Sequence, residues 1–123
     1  MAGTLTAEEM ITSCERLFRS HGLTPKREFV LPNGKRIDLV AFGKTGNIAG
    51  VEVKRDVRDF NRDVKWPTYL PFCKVFYFAV PQGFPRDIIP EKLGLILCTR
   101  DRAEIVRGLS GCNRIPATVL LRV

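Results

Sequence analysis

The sequence predicts a mixed α/β sandwich in a single domain, and three observations support this fold class. An amphipathic helical segment comes first, three strand-like segments follow it, and a second helical segment precedes further strands. The chain has 123 residues, which is long enough for one hydrophobic core and too short for two. No repeat or low-complexity tract interrupts this order. We therefore expect residues 1–123 to form one domain in which helices flank a central sheet.

The first element is a helix whose start is marked by a capping box. Thr6 is followed three residues later by Glu9, which is the pattern of a helix N-terminus, and Gly22 is expected to end the helix. Apolar side chains recur between them at helical spacing, at Met10, Ile11, Cys14, Leu17 and Phe18. Glu15 lies at the margin of this apolar stripe. It is either a solvated flanking residue or an auxiliary carboxylate that reaches a site.

Three strands are predicted next. Lys26 to Leu31 forms the first, and Pro32-Asn33-Gly34 is a strong turn signal. Arg36 to Phe42 and Ile48 to Lys54 form the second and third strands, joined by the glycine-containing turn GKTGN. Two adjacent strands of the sheet are therefore expected to pair as an antiparallel hairpin.

The hairpin carries two carboxylates and a lysine that predict a metal-dependent site. Asp38 and Glu52 are 52 − 38 = 14 positions apart, so a turn centred near Thr45 places them opposite each other on paired strands. Lys54 follows two residues later, on the same face as Glu52. Such hard oxygen ligands suit Mg²⁺ or Mn²⁺, and the lysine could activate a water or stabilise a phosphate. The alternative is that the carboxylates face solvent and the lysine forms an ordinary salt bridge.

Glu28 lies on the neighbouring predicted strand and is a further auxiliary candidate. It could supply an additional carboxylate near the metal. A salt bridge with Arg27, Lys35 or Arg36 explains it equally well.

The segment from Arg55 to Lys65 is predicted to be a helix with three stripes. Val57, Phe60 and Val64 form the apolar stripe that should pack on the sheet, with aspartates on the intervening positions. The basic stripe is the candidate nucleic-acid surface, and its last member is also an auxiliary candidate for the site: Arg55, Arg58, Arg62 and Lys65. The alternative is a solvated face of Asp and Arg pairs.

The remaining elements complete the sheet. Trp66-Pro67 should interrupt the helix and begin a further turn that contains Tyr69. Lys74 to Val80 is a buried strand, and a short helical turn follows at Arg86 to Ile89. Leu93 to Cys98 and Ala103 to Arg107 should pair across the Arg100-Asp101 turn. The segment from Gly108 to Pro116 is a loop, and the final ATVLLRV is an edge strand or a short helix.

Composition narrows the class of partner and the compartment. Twenty Lys and Arg against 13 Asp and Glu give a net charge of +7, which favours a polyanion such as nucleic acid over an anionic membrane surface. The four cysteines lack CxxC spacing and the only histidine is His21, so a zinc site is not expected. Buried thiols, and the lack of a signal sequence or membrane-spanning run, predict a soluble cytoplasmic protein with no membrane partner.

The motifs resemble those of a known nuclease superfamily. Asp38, followed by Glu52-Val53-Lys54 on an adjoining strand, is similar to the signature of the PD-(D/E)XK nucleases, with Ile37 where that signature has proline. The longer blocks VEVKRDVRDFNRDVKWPTYLPFC, FYFAVPQGFP, LGLILC and AEIVR resemble the MmcB family of DNA repair endonucleases. The resemblance implies an α-β-β-β-α-β core, metal binding by Asp38 and Glu52, and a catalytic Lys54.

The same resemblance draws attention to five positions to which no chemical role is attached: Asp59, Asp63, Lys65, Trp66 and Tyr69. The expected function is a metal-dependent DNA endonuclease that hydrolyses phosphodiester bonds in repair, as a monomer or a homodimer. The alternatives are a non-catalytic DNA-binding or scaffold protein with the same fold, and an RNA-directed nuclease.

Overall fold

One mixed sheet organises the chain. The computed structural model describes residues 5–108, so the predicted loop and terminal element beyond Gly108 lie outside the described residues. Within that range the strands are β1 (Thr24–Val30), β2 (Arg36–Phe42), β3 (Ile48–Val53), β4 (Val75–Pro81), β5 (Gly94–Cys98) and β6 (Ala103–Arg107). They lie side by side in chain order. The β3/β4 and β4/β5 pairs are parallel and the others are antiparallel, which confirms a mixed α/β sheet.

Helices cover both faces of the sheet, as the alternation of elements predicts. The α-helices are α1 (Ala7–Ser20) and α2 (Val57–Arg62), and two 3-10 helices span Trp66–Phe72 and Arg86–Ile88. The predicted order of elements is therefore confirmed through residue 107. No helix within residues 5–108 is both long and apolar enough to cross a membrane.

The first helix begins where its capping box predicts. The Glu9 amide donates to Thr6 Oγ1 at 3.0 Å, and the Thr6 amide donates to Glu9 Oε1 at 2.9 Å. These reciprocal bonds satisfy two amides that have no partner inside the helix. The buried face of α1 presents Met10, Cys14 and Phe18 to one side of the sheet. Helix α1 thus seals one of the two apolar layers.

The second apolar layer is rich in aromatic side chains. Phe76 and Phe78 of β4 are buried, and Trp66 lies against both of them, with ring centroids 6.4 and 5.4 Å away. Phe60 of α2 packs edge-on against Phe78 at 5.2 Å. The Trp66–Phe76 pair is stacked and the other two pairs are edge-on. Aromatic pairs in these arrangements stabilise a cluster beyond the burial of their area. The layer anchors α2 and the 3-10 helix Trp66–Phe72 to the sheet.

The second α-helix is shorter than predicted, and the predicted apolar stripe is wrong at both of its ends, since Val57 is 37% exposed. It spans Val57–Arg62, and Val64 is 79% exposed instead of packing on the sheet. The carboxylate of Asp63 accepts the amides of Lys65 at 2.8 Å and Trp66 at 3.2 Å, so it replaces the next helical turn. Only Phe60 of the predicted stripe packs into the core.

A close approach between two strands depends on a glycine. Gly94 of β5 lies opposite Tyr77 of β4, a residue that is 1% exposed. A Cβ atom added at Gly94 would overlap the tyrosine ring and lie 2.7 Å from its Cε2. The backbone of β5 therefore fits against β4 only because this position lacks a side chain.

We predict that Gly94→Ala lowers the free energy of unfolding by about 1–3 kcal/mol, because the added methyl group forces the buried ring to move. Urea denaturation measures the loss. In a Tyr77→Leu background the same substitution should cost at least about 0.5 kcal/mol less, since the ring that it overlaps is gone. Equal costs in the two backgrounds would mean that the contact does not limit stability.

Candidate active site at the end of the central hairpin

Asp38 and Glu52 lie where the backbone pairing of β2 and β3 ends. The two strands pair from Phe42↔Ile48 to Leu39↔Val51, which is the register that the spacing predicts. Beyond that point the Asp38 amide donates to Glu52 Oε1 at 3.0 Å, and the Val53 amide donates to Asp38 Oδ2 at 2.8 Å. Each carboxylate thus takes the place of a backbone carbonyl on its own strand. These two hydrogen bonds fix both side chains against the opposite strand.

The side chains of β2 also switch to the opposite faces of the sheet at this point. Ile37 and Leu39 have the same parity and would share a face of a regular strand, yet they pack in opposite apolar layers. On the neighbouring strand, Glu28 has a φ of 48°, a left-handed conformation that is costly for a residue with a side chain. Glu28 lies opposite Asp38 on the paired strand. The strained backbone of β1 is therefore next to the irregular part of β2 that carries the carboxylate.

Burial makes the two carboxylates difficult to ionise together. Glu52 is 7% exposed, and burial followed by the nearby charge of Asp38 raises its pKa to about 8. Burial also raises the pKa of Asp38. A bound cation would reverse this effect, because it stabilises both carboxylates in the charged form.

Lys54 is held by a carboxylate of the following segment. Its Nζ donates to Asp63 Oδ2 at 2.6 Å, and the two side chains are only 10% and 8% exposed. Burial acts to raise the pKa of Asp63, but hydrogen bonds from Lys54 and from the backbone amides of Lys65 and Trp66 hold it below its usual range. The pair therefore fixes the ammonium group beside the two buried carboxylates.

A cavity of about 800 Å³ opens over these groups. Charged side chains dominate its lining, with the carboxylates and Lys54 joined by basic residues of the β1–β2 turn and of the segment after β3. The charged lining residues are Glu28, Lys35, Arg36, Asp38, Glu52, Lys54, Asp59, Arg62, Asp63 and Lys65. An anionic ligand with a divalent cation suits this mixture of charges.

The structure brings most of the predicted site residues to this cavity. Asp38, Glu52 and Lys54 line it, together with three further candidates, Glu28, Arg62 and Lys65. Among residues 5–108, Glu28 forms no salt bridge with Arg27, Lys35 or Arg36, the three partners that the sequence left open, and Arg27 binds two glutamates of α1 instead.

Three candidates do not reach the cavity. The carboxylate of Glu15 accepts two hydrogen bonds from Arg27, from Nε and Nη2, each at 2.9 Å. Arg55 pairs with Asp59 at 3.3 Å, and Arg58 is exposed outside the lining.

Asp63 and Tyr69 belong to the site, but they are not part of the motif formed by the two carboxylates and Lys54. Tyr69 is 3% exposed, and its hydroxyl donates to the Arg36 carbonyl at 3.4 Å. Burial, followed by the charges of Glu52, Asp63 and Asp38, raises its pKa to about 12, so it is a neutral donor at physiological pH. Only the resemblance to a family marked these two positions, since neither lies in a periodic pattern or a known spacing.

The donor set fits a small, hard cation. Within residues 5–108 no group of three or more His, Cys, Asp or Glu side chains is placed to hold a metal ion, so Asp38 and Glu52 are the candidate ligands. Each of them uses one carboxylate oxygen for a backbone amide, which leaves the other oxygen for a ligand. Magnesium is commonly bound by one or two carboxylates, with water and substrate phosphate as its other ligands.

Comparison with known proteins places the chain beside DNA repair proteins. The model of a family described as "DNA repair protein MmcB-like" matches residues 4–120. The solved structure of the SPO1766 protein of unknown function from Silicibacter pomeroyi is 32% identical and has a TM-score of 0.79. The match covers 94% of this chain and 80% of that one. No curated protein matches the chain.

We predict that the metal-free protein loses stability as pH rises from about 4.5 to about 8. A folded-state pKa raised above its unfolded value means that the folded protein binds the extra proton in this interval, so one group contributes a slope of up to about 1.4 kcal/mol per pH unit. Urea denaturation in EDTA at several pH values measures the slope.

Glu52→Gln should remove most of this slope, while Glu104→Gln, an exposed carboxylate on β6, should leave it unchanged. Mg²⁺ should raise the stability of the unsubstituted protein most at pH 8, because the cation competes with the proton for Glu52. An equal slope in the unsubstituted and Glu52→Gln proteins would show that Glu52 ionises normally.

Proposed function

We propose that this chain, which belongs to the MmcB-like DNA repair protein family, is a metal-dependent DNA endonuclease with a PD-(D/E)XK nuclease-like core. The observation that carries the proposal is the pair of half-buried Asp38 and buried Glu52 at the end of β2 and β3, both with raised pKa values, beside Lys54. A buried pair of carboxylates destabilises a fold unless a charge compensates it. A divalent cation would provide that compensation, and it would also promote the hydrolysis of a phosphodiester.

Asp38 and Glu52 would hold a Mg²⁺ or Mn²⁺ ion. When bound, such an ion supplies Lewis-acid stabilisation of a phosphodiester and promotes the ionisation of water near neutral pH. The chain supplies the rigid placement of the two carboxylates, because each is anchored to a backbone amide of the opposite strand at 3.0 Å or less. Little reorganisation is then required when substrate arrives.

Lys54 is the candidate group for stabilising negative charge on the phosphate. Its Nζ is fixed by Asp63 and buried at the cavity, so its charge is directed by the protein and screened little by water. An ammonium group has three hydrogen-bond donors, and Asp63 is bonded to one of them. The remaining donors can bind a phosphate oxygen as charge develops there.

The proposed substrate is DNA, for two reasons. The family is one of DNA repair proteins, and the net charge of +7 favours a polyanionic partner. The site itself contacts a phosphate and does not distinguish the sugar. RNA is therefore included in the test below.

We predict that Asp38→Asn lowers metal-dependent cleavage by more than about 100-fold, since a lost ligand should cost at least as much as a lost outer-shell partner of a ligand. The assay compares labelled single-stranded, duplex, flapped and branched DNA, and matched RNA, with Mg²⁺, Mn²⁺ or EDTA. The affinity for DNA should be equal or higher, because a negative charge is removed.

Glu104→Gln is the matched control, because it makes the same change of charge at an exposed position. Normal cutting by Asp38→Asn would overturn the site assignment. Tight DNA binding without cutting by any variant would support the non-catalytic alternative, a scaffold that binds DNA in repair. Cutting of RNA alone would replace DNA as the substrate.

We predict that Lys54→Ala lowers kcat by about 10²–10³, the usual cost of removing one donor that stabilises developing charge. The Mg²⁺-dependent rise in thermal stability should persist, since the proposed ligands remain. Lys44→Ala, an exposed lysine of the β2–β3 turn, is the control. Loss of the Mg²⁺ effect in Lys54→Ala, with kcat restored by excess metal, would show instead that the lysine supports the metal ligands.

A further inference from the structure

Four cations border the cavity without an ion-pair partner among the residues that the structure describes. Within residues 5–108 the ion pairs take up Arg27, Lys54, Arg55 and Arg100. The unpaired cations that line the cavity are Lys35, Arg36, Arg62 and Lys65, which are called the basic rim below. Unpaired cations gathered at one opening create a positive potential that attracts anions.

The basic rim comes from two separate parts of the chain. Lys35 and Arg36 lie in and after the β1–β2 turn, next to the strand of Asp38. Arg62 and Lys65 lie at and beyond the end of α2, the segment that follows Lys54. The two parts therefore come at the start of β2 and just after β3, the strands that carry Asp38 and Glu52.

Hydrogen bonds hold these two parts together. Asn33 accepts the Lys35 amide at 3.0 Å and donates from Nδ2 to the Thr68 carbonyl at 3.2 Å. Thr68 in turn donates from its hydroxyl to the Lys65 carbonyl at 2.6 Å. Tyr69 bonds to the Arg36 carbonyl. The backbone at three of the four cations is therefore ordered before a ligand binds, which lowers the entropic cost of binding.

The arrangement of charge selects an extended polyanion. Within residues 5–108, Asp59 and Asp63 of the lining are in ion pairs, which leaves the carboxylates of Glu28, Asp38 and Glu52 against the four cations of the basic rim. Asp38 and Glu52 form the floor of the cavity, and the rim cations lie on two elements. Because the cations come from two separate elements, successive phosphates of one strand can reach several of them while one phosphodiester lies over the floor. A phosphate can approach the acidic floor only when the divalent cation of the proposed function compensates the carboxylates. The basic rim can bind phosphates without a metal ion.

We propose that the basic rim is the surface that holds the DNA backbone next to the phosphodiester to be cut, an inference that rests on the proposed nuclease function. It assigns Lys35 and Arg36 to substrate binding, in addition to Arg62 and Lys65. Arg55 is excluded, because Asp59 already binds it. The contacts are to phosphates, so the rim contributes affinity and position without sequence preference.

The test measures DNA affinity against salt concentration in an Asp38→Asn background with EDTA, where no cutting occurs. A fluorescent duplex is titrated with protein at several NaCl concentrations. Lys35→Gln with Arg36→Gln should reduce the slope of log affinity against log salt by up to about 1.8, which is about 0.9 for each lost phosphate contact on duplex DNA. Arg62→Gln with Lys65→Gln is a second, independent pair with the same expected effect.

Arg19→Gln with Arg102→Gln is the matched control, because it removes the same charge from exposed positions on α1 and in the β5–β6 turn. Its slope should stay close to that of the background protein. Thermal denaturation curves should first show that every variant is folded. Equal slopes in the control and in both rim variants would then overturn the assignment of the basic rim to DNA binding. Failure of the background protein to bind DNA would overturn it as well.

Failure of the rim and failure of the nuclease proposal give different results. A reduced slope together with no metal-dependent cutting by the unsubstituted protein supports the rim and removes the nuclease. Cutting by the unsubstituted protein, with unchanged slopes in the rim variants, supports the nuclease and removes the rim.

Discussion

The exchange of hydrogen bonds between Asp38 and Glu52 is the constraint on which the rest of the site depends. Each carboxylate replaces a backbone acceptor at the end of the β2–β3 pairing, so neither can turn away without leaving a buried amide unsatisfied. The cost of this arrangement is electrostatic, because two acidic groups are brought together where water is scarce. The nearest ammonium group does not fully resolve it, since Lys54 is already bound by Asp63.

Asp63 connects this constraint to the fold of the following segment. One of its oxygens binds Lys54 and the other accepts two backbone amides, so the same side chain ends α2 and fixes the lysine. The chain then enters the 3-10 helix Trp66–Phe72, whose Trp66 and Tyr69 pack on Phe76. The position of the ammonium group is therefore coupled to the aromatic layer, whose packing contributes to the geometry of the site.

The sequence predicted those features that depend on local spacing. The capping box located α1, and the turn between β2 and β3 set the register that brings residues 38 and 52 together. The length of α2 could not be predicted in the same way. Its periodicity continues through Val64, and the competing acceptor on Asp63 is stabilised by a lysine nine residues earlier in the chain. The left-handed conformation of Glu28 is likewise a tertiary effect, because nothing in its local sequence requires a positive φ.

The distribution of charge gives the best argument for why these features occur together. The buried carboxylates alone would repel a phosphodiester, and the exposed cations alone would bind any polyanion without acting on it. Both occur in one cavity of about 800 Å³. In the function proposed above, Lys35, Arg36, Arg62 and Lys65 would attract the DNA backbone, and Asp38 and Glu52 would lie beneath the phosphodiester to be cut. Membership of a DNA repair family and the positive net charge agree with that division. The proposed divalent cation would make the acidic and basic parts of the cavity compatible, because it would compensate the carboxylates and bind phosphate.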